Sequence, residues 1–142
     1  MLTEKDLTLI ALLKENGRMS VADLARKLNV SRTAAQARLE KLENNGTIAG
    51  YSLRLGQEVS AHQVKALVMI KAPPRVRTSV EAHLKKIHAL SALYSISGAF
   101  DLACVLSAQS VSALDNVIDL IGNIDGVTDT MSSVILSTKI DR

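Results

Sequence analysis

Arg32, Thr33, Gln36 and Lys41 recur at the spacing of one helical face in the stretch Ser31–Asn44. These side-chain types can read a nucleic-acid duplex. An arginine pairs with guanine through two hydrogen bonds, a glutamine does the same with adenine, and a threonine touches a thymine methyl or a phosphate. The same stretch has an apolar stripe, Ala35, Leu39 and Leu42, so the outer face is what remains: Arg32, Thr33, Gln36, Ala37, Glu40 and Lys41. Arg38 and Lys41 are placed for phosphates, and Ser20 and Ser31 offer hydroxyls and amides at helix starts. Pairing of Arg38 with Glu15 or Glu43 is the alternative use of its charge.

The elements that must hold these residues follow from local signals. Thr3 with Asp6 resembles a capping box, and Leu7, Ile10, Ala11 and Lys14 follow at helical spacing, with Leu9, Leu12 and Leu13 widening the apolar face. Asn16-Gly17 ends that helix. Ser20 and Asp23 repeat the cap, Leu24, Ala25 and Leu28 form the inward stripe of a second helix, Asn29-Val30 makes the turn, and Ser31 caps the third. Asn44-Asn45-Gly46 stops it. Two short helices joined by a tight turn, the second opening on serine, make a helix-turn-helix, which sets one helix in the DNA major groove.

After an expected strand over Ile48–Leu55 the rhythm changes. Val64–Lys71 reads as a strand, Pro73-Pro74 opens a helix through about His88, and Leu93–Ser97 and Leu102–Ser107 read as strands around Gly98-Ala99-Phe100-Asp101. Ser110–Ile121 is a helix behind a serine cap, and Val127–Lys139 holds the last strand. The order βαββαβ implies an antiparallel sheet with both helices on one face. Val64, Ala66, Val68 and Ile70 form one alternate set, yet Leu67 and Met69 make the other set apolar as well. A sheet with one wet face alternates apolar and polar, so the second face calls for a cover: a second subunit, or the chain's own linker. The fold class expected is α+β. Residues 1–50 read as a helix-turn-helix domain (motif about 21–40), 51–62 as a linker strand, and 63–142 as a βαββαβ, ferredoxin-like dimerisation domain.

Composition bounds the function. The 142 residues carry a net charge of only +3, with eight Lys/Arg against six Asp/Glu in residues 1–50, so DNA affinity must come from where the charges sit. Tyr51, Tyr94 and Phe100 are the only aromatics, too few for stacking on single strands. Cys104 is the lone cysteine, so no intrachain disulfide forms, and its apolar surroundings suggest a buried side chain. MLTEKDL lacks the apolar core of a signal peptide, and no run of apolar residues is long enough to span a membrane, which suggests the cytoplasm.

SVADLARKLNVSRTAAQARLEKLENNGTIAGY, followed in fixed order by SGAFDLACVL and VTDTMSSVILSTK, resembles the Lrp/AsnC family of feast/famine transcription regulators, from Leu2 to about Lys139. The resemblance implies that the N-terminal helix-turn-helix is winged, that the C-terminal domain binds an effector and drives oligomerisation, and that a homodimer is built through the C-terminal sheets, often assembled further into octamers that wrap double-stranded DNA. It also implies an effector, usually an amino acid, bound between C-terminal domains. The family's glycine-to-aspartate loop falls on Gly98, Ala99, Phe100 and Asp101, and the facing strand on Thr130, Ser132, Ser133 and Val134. Asp101 would take the ammonium group, and amides near Gly98 with Ser132 or Ser133 the carboxylate. The bland alternative is a hairpin in which Gly98 only turns and Asp101 only caps. Ala37 stands where many relatives carry a basic side chain, and Phe100 replaces a frequent tyrosine.

Two rivals are weighed. Sirohaem decarboxylases look similar in fold, but that chemistry wants a positioned histidine and a set of arginines, whereas His62, His83 and His88 are scattered, the last two five residues apart. No metal cluster, nucleophile pair or phosphate loop is visible in the sequence, so an enzyme is not expected, and neither is a metal or cofactor beyond the amino-acid effector. The other rival is an assembly module that has lost operator recognition, to which Ala37 and the mild charge lend some weight.

Overall fold

A computed structural model describes residues 1–142, which divide into two compact units, Met1–Arg54 and Leu55–Arg142. The first holds α1 (Glu4–Glu15), α2 (Val21–Leu28) and α3 (Arg32–Asn44). The caps form as local chemistry dictates. Thr3 Oγ1 accepts from the Asp6 amide at 3.2 Å while Asp6 Oδ2 accepts from the Thr3 amide at 2.8 Å, a reciprocal box. Ser20 and Ser31 cap α2 and α3, each accepting from the amide three residues on at 3.1 Å. Leu9, Leu24, Leu28 and Leu42 close the core of this unit. Each such leucine contributes about 1.5–3 kcal/mol by leaving water.

Two expectations fail here. The inner face of α1 carries Leu9, with Ile10, Leu12 and Leu13 packed beside it, while Leu7, Ala11 and Lys14 lie exposed. The helix is rotated because Asp6, a carboxylate that polarity would place outside, is buried on the core side. The strand over Ile48–Leu55 and the linker strand over 51–62 do not form. Ile48 packs back on the helices and the Tyr51 hydroxyl donates to Glu43 at 3.2 Å, but the stretch has no hydrogen-bonded strand neighbour, which a strand requires, and a single helical turn, α4 (Gln57–Ser60), follows. The tail that would make a wing therefore carries no β pairing.

The second unit continues with β1 (Val64–Lys71), α5 (Pro74–Leu84), β2 (Leu90–Ser95), β3 (Leu102–Ala108), α6 (Val111–Gly122) and β4 (Asp129–Ile135). The sheet is antiparallel in the order β2-β3-β1-β4. Ala66, Val68 and Ile70 of β1 and Leu102, Cys104 and Leu106 of β3 face Val80 and Leu84 of α5 and Leu114 and Ile121 of α6, so both helices cover one face. The connection after α6 must pass close to α5. At Gly126 the backbone has φ +99°, and a Cβ there would come within 2.9 Å of Val76.

Boundaries shift for physical reasons. α5 stops at Leu84 rather than His88 because the chain turns there, with Ile87 donating to Leu84 and packing on the core ahead of β2. β4 ends at Ile135 rather than Lys139 because Ile135 pairs with Lys65 at the start of β1, leaving later residues no partner. On the face away from the helices, Leu67, Met131, Ile135 and Tyr94 stay exposed, so the linker does not cover it.

Candidate nucleic-acid interface and effector loop

The turn between α2 and α3 rests on Asn29, whose φ of 54° and ψ of 49° put it in the left-handed region that asparagine tolerates. Val30 then donates to the Ala25 carbonyl at 3.0 Å, and Ser31 starts α3. Ala35 and Leu42 are fully buried, which fixes the rotation of α3. Ser31, Arg32, Thr33, Gln36, Ala37, Glu40 and Lys41 are left exposed. Ser20 is exposed at the start of α2. The oxygens of both serines accept from their helices, which leaves their hydroxyl hydrogens free to donate to an anion.

Arg32 and Lys41 take part in no ion pair. Gln36 donates to Glu40 at 2.8 Å, one helical turn on, so its amide is steered along the exposed face. The methyl of Ala37 is the small member of a shallow trough walled by Arg32, Thr33, Gln36 and Glu40. Exposed cations, an amide and hydroxyls on one rigid helix can meet phosphates and base edges together.

Arg38 has a different task. Its guanidinium bonds Asp6 at 2.6 Å and Thr3 at 2.8 Å, not Glu15 or Glu43. The Thr3 amide first, and then the Arg38 guanidinium, hold the Asp6 carboxyl down at about 2. Arg38 therefore locks α3 onto the start of α1, and the phosphate contact expected of it competes with that bond. Asp6 was legible as a cap but not as this partner, because the pair is separated by 32 residues.

In the second unit Gly98, Ala99, Phe100 and Asp101 form the β2–β3 hairpin. Gly98 has φ +111°, and a Cβ there would meet nothing within 4 Å, so glycine is needed for backbone conformation alone. Asp101 is engaged on every side. Its amide donates to Ile70 at 2.9 Å, its Oδ2 accepts from the Ala72 amide at 2.9 Å, and its Oδ1 meets Arg77 at 3.0 Å. Arg77 also donates to the Ala72 carbonyl at 3.0 Å. Lys71 Nζ stands 5.6 Å from the centroid of the Phe100 ring, a cation–π contact.

The strand expected opposite this loop is split between faces. Thr130, Ser132 and Val134 pair with Ile70, Val68 and Ala66 and lie on the helix side, while Ser133 pairs with Leu67 and lies on the open side. Thr130 shares Ile70 with Asp101 and is the nearest to the hairpin in register. Arg77 and Lys71 were missed at this loop. Arg77 lies one turn beyond Pro74 in α5, and nothing in its local pattern announces an acid across the fold.

Comparison with known proteins agrees with both units. Residues 2–43 match the AsnC-type helix-turn-helix domain, and residues 65–142 match the Lrp/AsnC ligand binding domain. The chain is 29% identical over 136 residues to the HTH-type transcriptional regulator LysM of Saccharolobus solfataricus, covering 95% of this chain and 94% of that protein. It is 29% identical to LrpA of Pyrococcus horikoshii, covering 96% and 97%. The crystal structure of the Mycobacterium tuberculosis leucine response regulatory protein superposes with a TM-score of 0.83 at 29% identity, over 99% of this chain and 96% of that one. E. coli AsnC shares the fold with a TM-score of 0.89 at 24% identity, over 100% and 97%. So does the regulator NMB0573 of Neisseria meningitidis, in complex with L-Met, with a TM-score of 0.89 at 22% identity over 99% and 94%.

Proposed function

This chain belongs to the Lrp/AsnC family of transcriptional regulators, with a DNA-binding helix-turn-helix and a ligand-binding domain, and we propose that it binds operators sequence-specifically under the control of a small amino acid. The observation that carries the reading is the outer face of α3, where Arg32, Thr33, Gln36 and Lys41 stand exposed around rigidly capped helix ends. Arg32 and Gln36 read base edges, while Thr33, Lys41 and the hydroxyls of Ser20 and Ser31 hold phosphates. Arg38 orients the helix. Such a regulator acts by binding, not catalysis, and needs no cofactor. No helix is long and apolar enough to cross a membrane, and we place its action on DNA in the cytoplasm.

One recognition helix makes few contacts. Two-fold pairing supplies more, with half-sites one helical turn apart. The open face of the sheet, with Leu67, Met131, Ile135 and Tyr94 exposed, is the surface we assign to a homodimer, and further assembly toward an octamer follows the family pattern. Contiguous apolar surface of this kind marks interaction sites in soluble proteins.

For the effector, the hairpin Gly98–Asp101 with Thr130 supplies a carboxylate, backbone amides and one hydroxyl, groups that suit an amino acid's ammonium and carboxylate. The matched family model is that of a ligand-binding domain, and L-Met occupies a regulator of the same fold. The test is a gel-shift series on genomic fragments with salt and each of the twenty amino acids varied. Sequence preference, a steep loss of affinity with salt and a response to one amino acid are expected. Binding without preference would leave an assembly module, and preference without any response would remove the effector.

A further inference from the structure

α5 and α6 do not close completely against each other. Where α5 gives way to the turn before β2, a cleft of about 480 Å³ opens between them, within the range of small-molecule sites. Val117, Leu120 and Ile124 give it an apolar wall, and Leu120 is 55% exposed on a helix whose next residue, Ile121, is fully buried. The opposite rim is His83, Lys86 and His88. His83 Nδ1 donates to the Ser79 carbonyl at 2.7 Å, which fixes the ring and leaves Nε2 as its free nitrogen. Lys86 and Ile87 are pinned by turn bonds to His83 and Leu84.

Lys86 is the one formally charged side chain that lines the cleft. No acidic residue lines it, although Asp115 and Asp119 lie on α6 and Glu81 on α5. Lys85 stands exposed next to Lys86, while Arg77, at the other end of α5, is committed to Asp101. An apolar wall facing one ammonium group suits a ligand with the reverse pairing, an apolar body that ends in a negative charge.

We propose that this cleft is a second small-molecule site, which takes a compact organic carboxylate with an aliphatic or aromatic body. The body lies on Val117, Leu120 and Ile124, and the carboxylate meets the Lys86 ammonium. The site is separate from the hairpin loop. His88 and Ala89 precede β2 and Gly98 follows it, and the strand of six residues between them spans about 20 Å. The inference stands whether or not the hairpin binds an amino acid.

Isothermal titration of the full chain with sodium octanoate tests it. The expected result is saturable binding of one octanoate per chain, weakened at least about tenfold by Lys86→Glu and also by Leu120→Gln. Both residues are exposed, so the variants fold. Asp101→Asn should bind octanoate as the wild type does. Absence of heat, a smaller effect of either cleft variant, or loss of binding in Asp101→Asn overturns the proposal. Sedimentation guards against another occupant. If either cleft variant lowers the oligomeric state, the cleft holds a second copy of the chain and the proposal fails.

Discussion

Each unit of this protein fixes its functional element with one aspartate–arginine pair, and the two pairs are built differently. Asp6 is 1% exposed and tied into both the cap of α1 and Arg38 of α3. Asp101, at 33% side-chain exposure, is wetter, while the arginines are alike at 26% and 29%, and Arg77 shares itself with the Ala72 carbonyl. A buried carboxylate with two strong donors has no low-energy alternative to its partner. A half-exposed pair can trade one partner for water or for a ligand at small net cost. The first pair suits a recognition helix that must stay rigid. The second suits a loop that must rearrange around an effector.

The largest expected effect that would break this comparison comes from Asp6→Ala. It removes the reciprocal half of the α1 capping box and the carboxylate partner of Arg38, so both the melting temperature and DNA affinity should fall, and by more than in any substitution at the hairpin. The pH dependence sharpens the point. The Asp6 carboxyl is held at about 2, below its ordinary value of 3.8. Its stabilising contribution is thus complete above about pH 4 to 5 and drains away as pH falls toward 2. Acid unfolding followed by circular dichroism should show this loss in the wild type and not in Asp6→Asn.

Asp101→Ala should cost less, about 1 kcal/mol in chemical denaturation, because water replaces much of what is lost. DNA binding without effector should persist while the response to an amino acid disappears. If basal DNA binding fell as far as in Asp6→Ala, the contrast between the pairs would be wrong. Smallest is Gly98→Ala. Nothing crowds the site, so the cost is that of a positive φ alone, about 1 kcal/mol or less. A larger loss would mean that a ligand or backbone needs the space.

What was legible in the sequence is what local chemistry decides. The Thr3, Ser20, Ser31 and Ser110 caps form as their spacing requires. The stripe of Ala35, Leu39 and Leu42 sets the outward face of α3, and the alternation in β1 identifies its buried set. What stayed hidden depends on residues far apart in the chain. The rotation of α1 turns on a carboxylate whose burial is repaid by Arg38, so polarity misled. The linker strand needs a hydrogen-bonding neighbour that one chain does not provide. Ser133 was grouped with Ser132, yet strand alternation places them on opposite faces once the register with Leu67 and Val68 is fixed. Arg77 reaches Asp101 only through the tertiary fold.

The central claim, that the exposed face of α3 reads DNA bases, is tested most directly by measuring Gln36→Ala and Arg32→Ala against a set of operator fragments that differ at single base pairs. Each variant should lose about 1–3 kcal/mol of discrimination at one base pair and little elsewhere. If both bind every fragment as the wild type does, α3 is not the reading element.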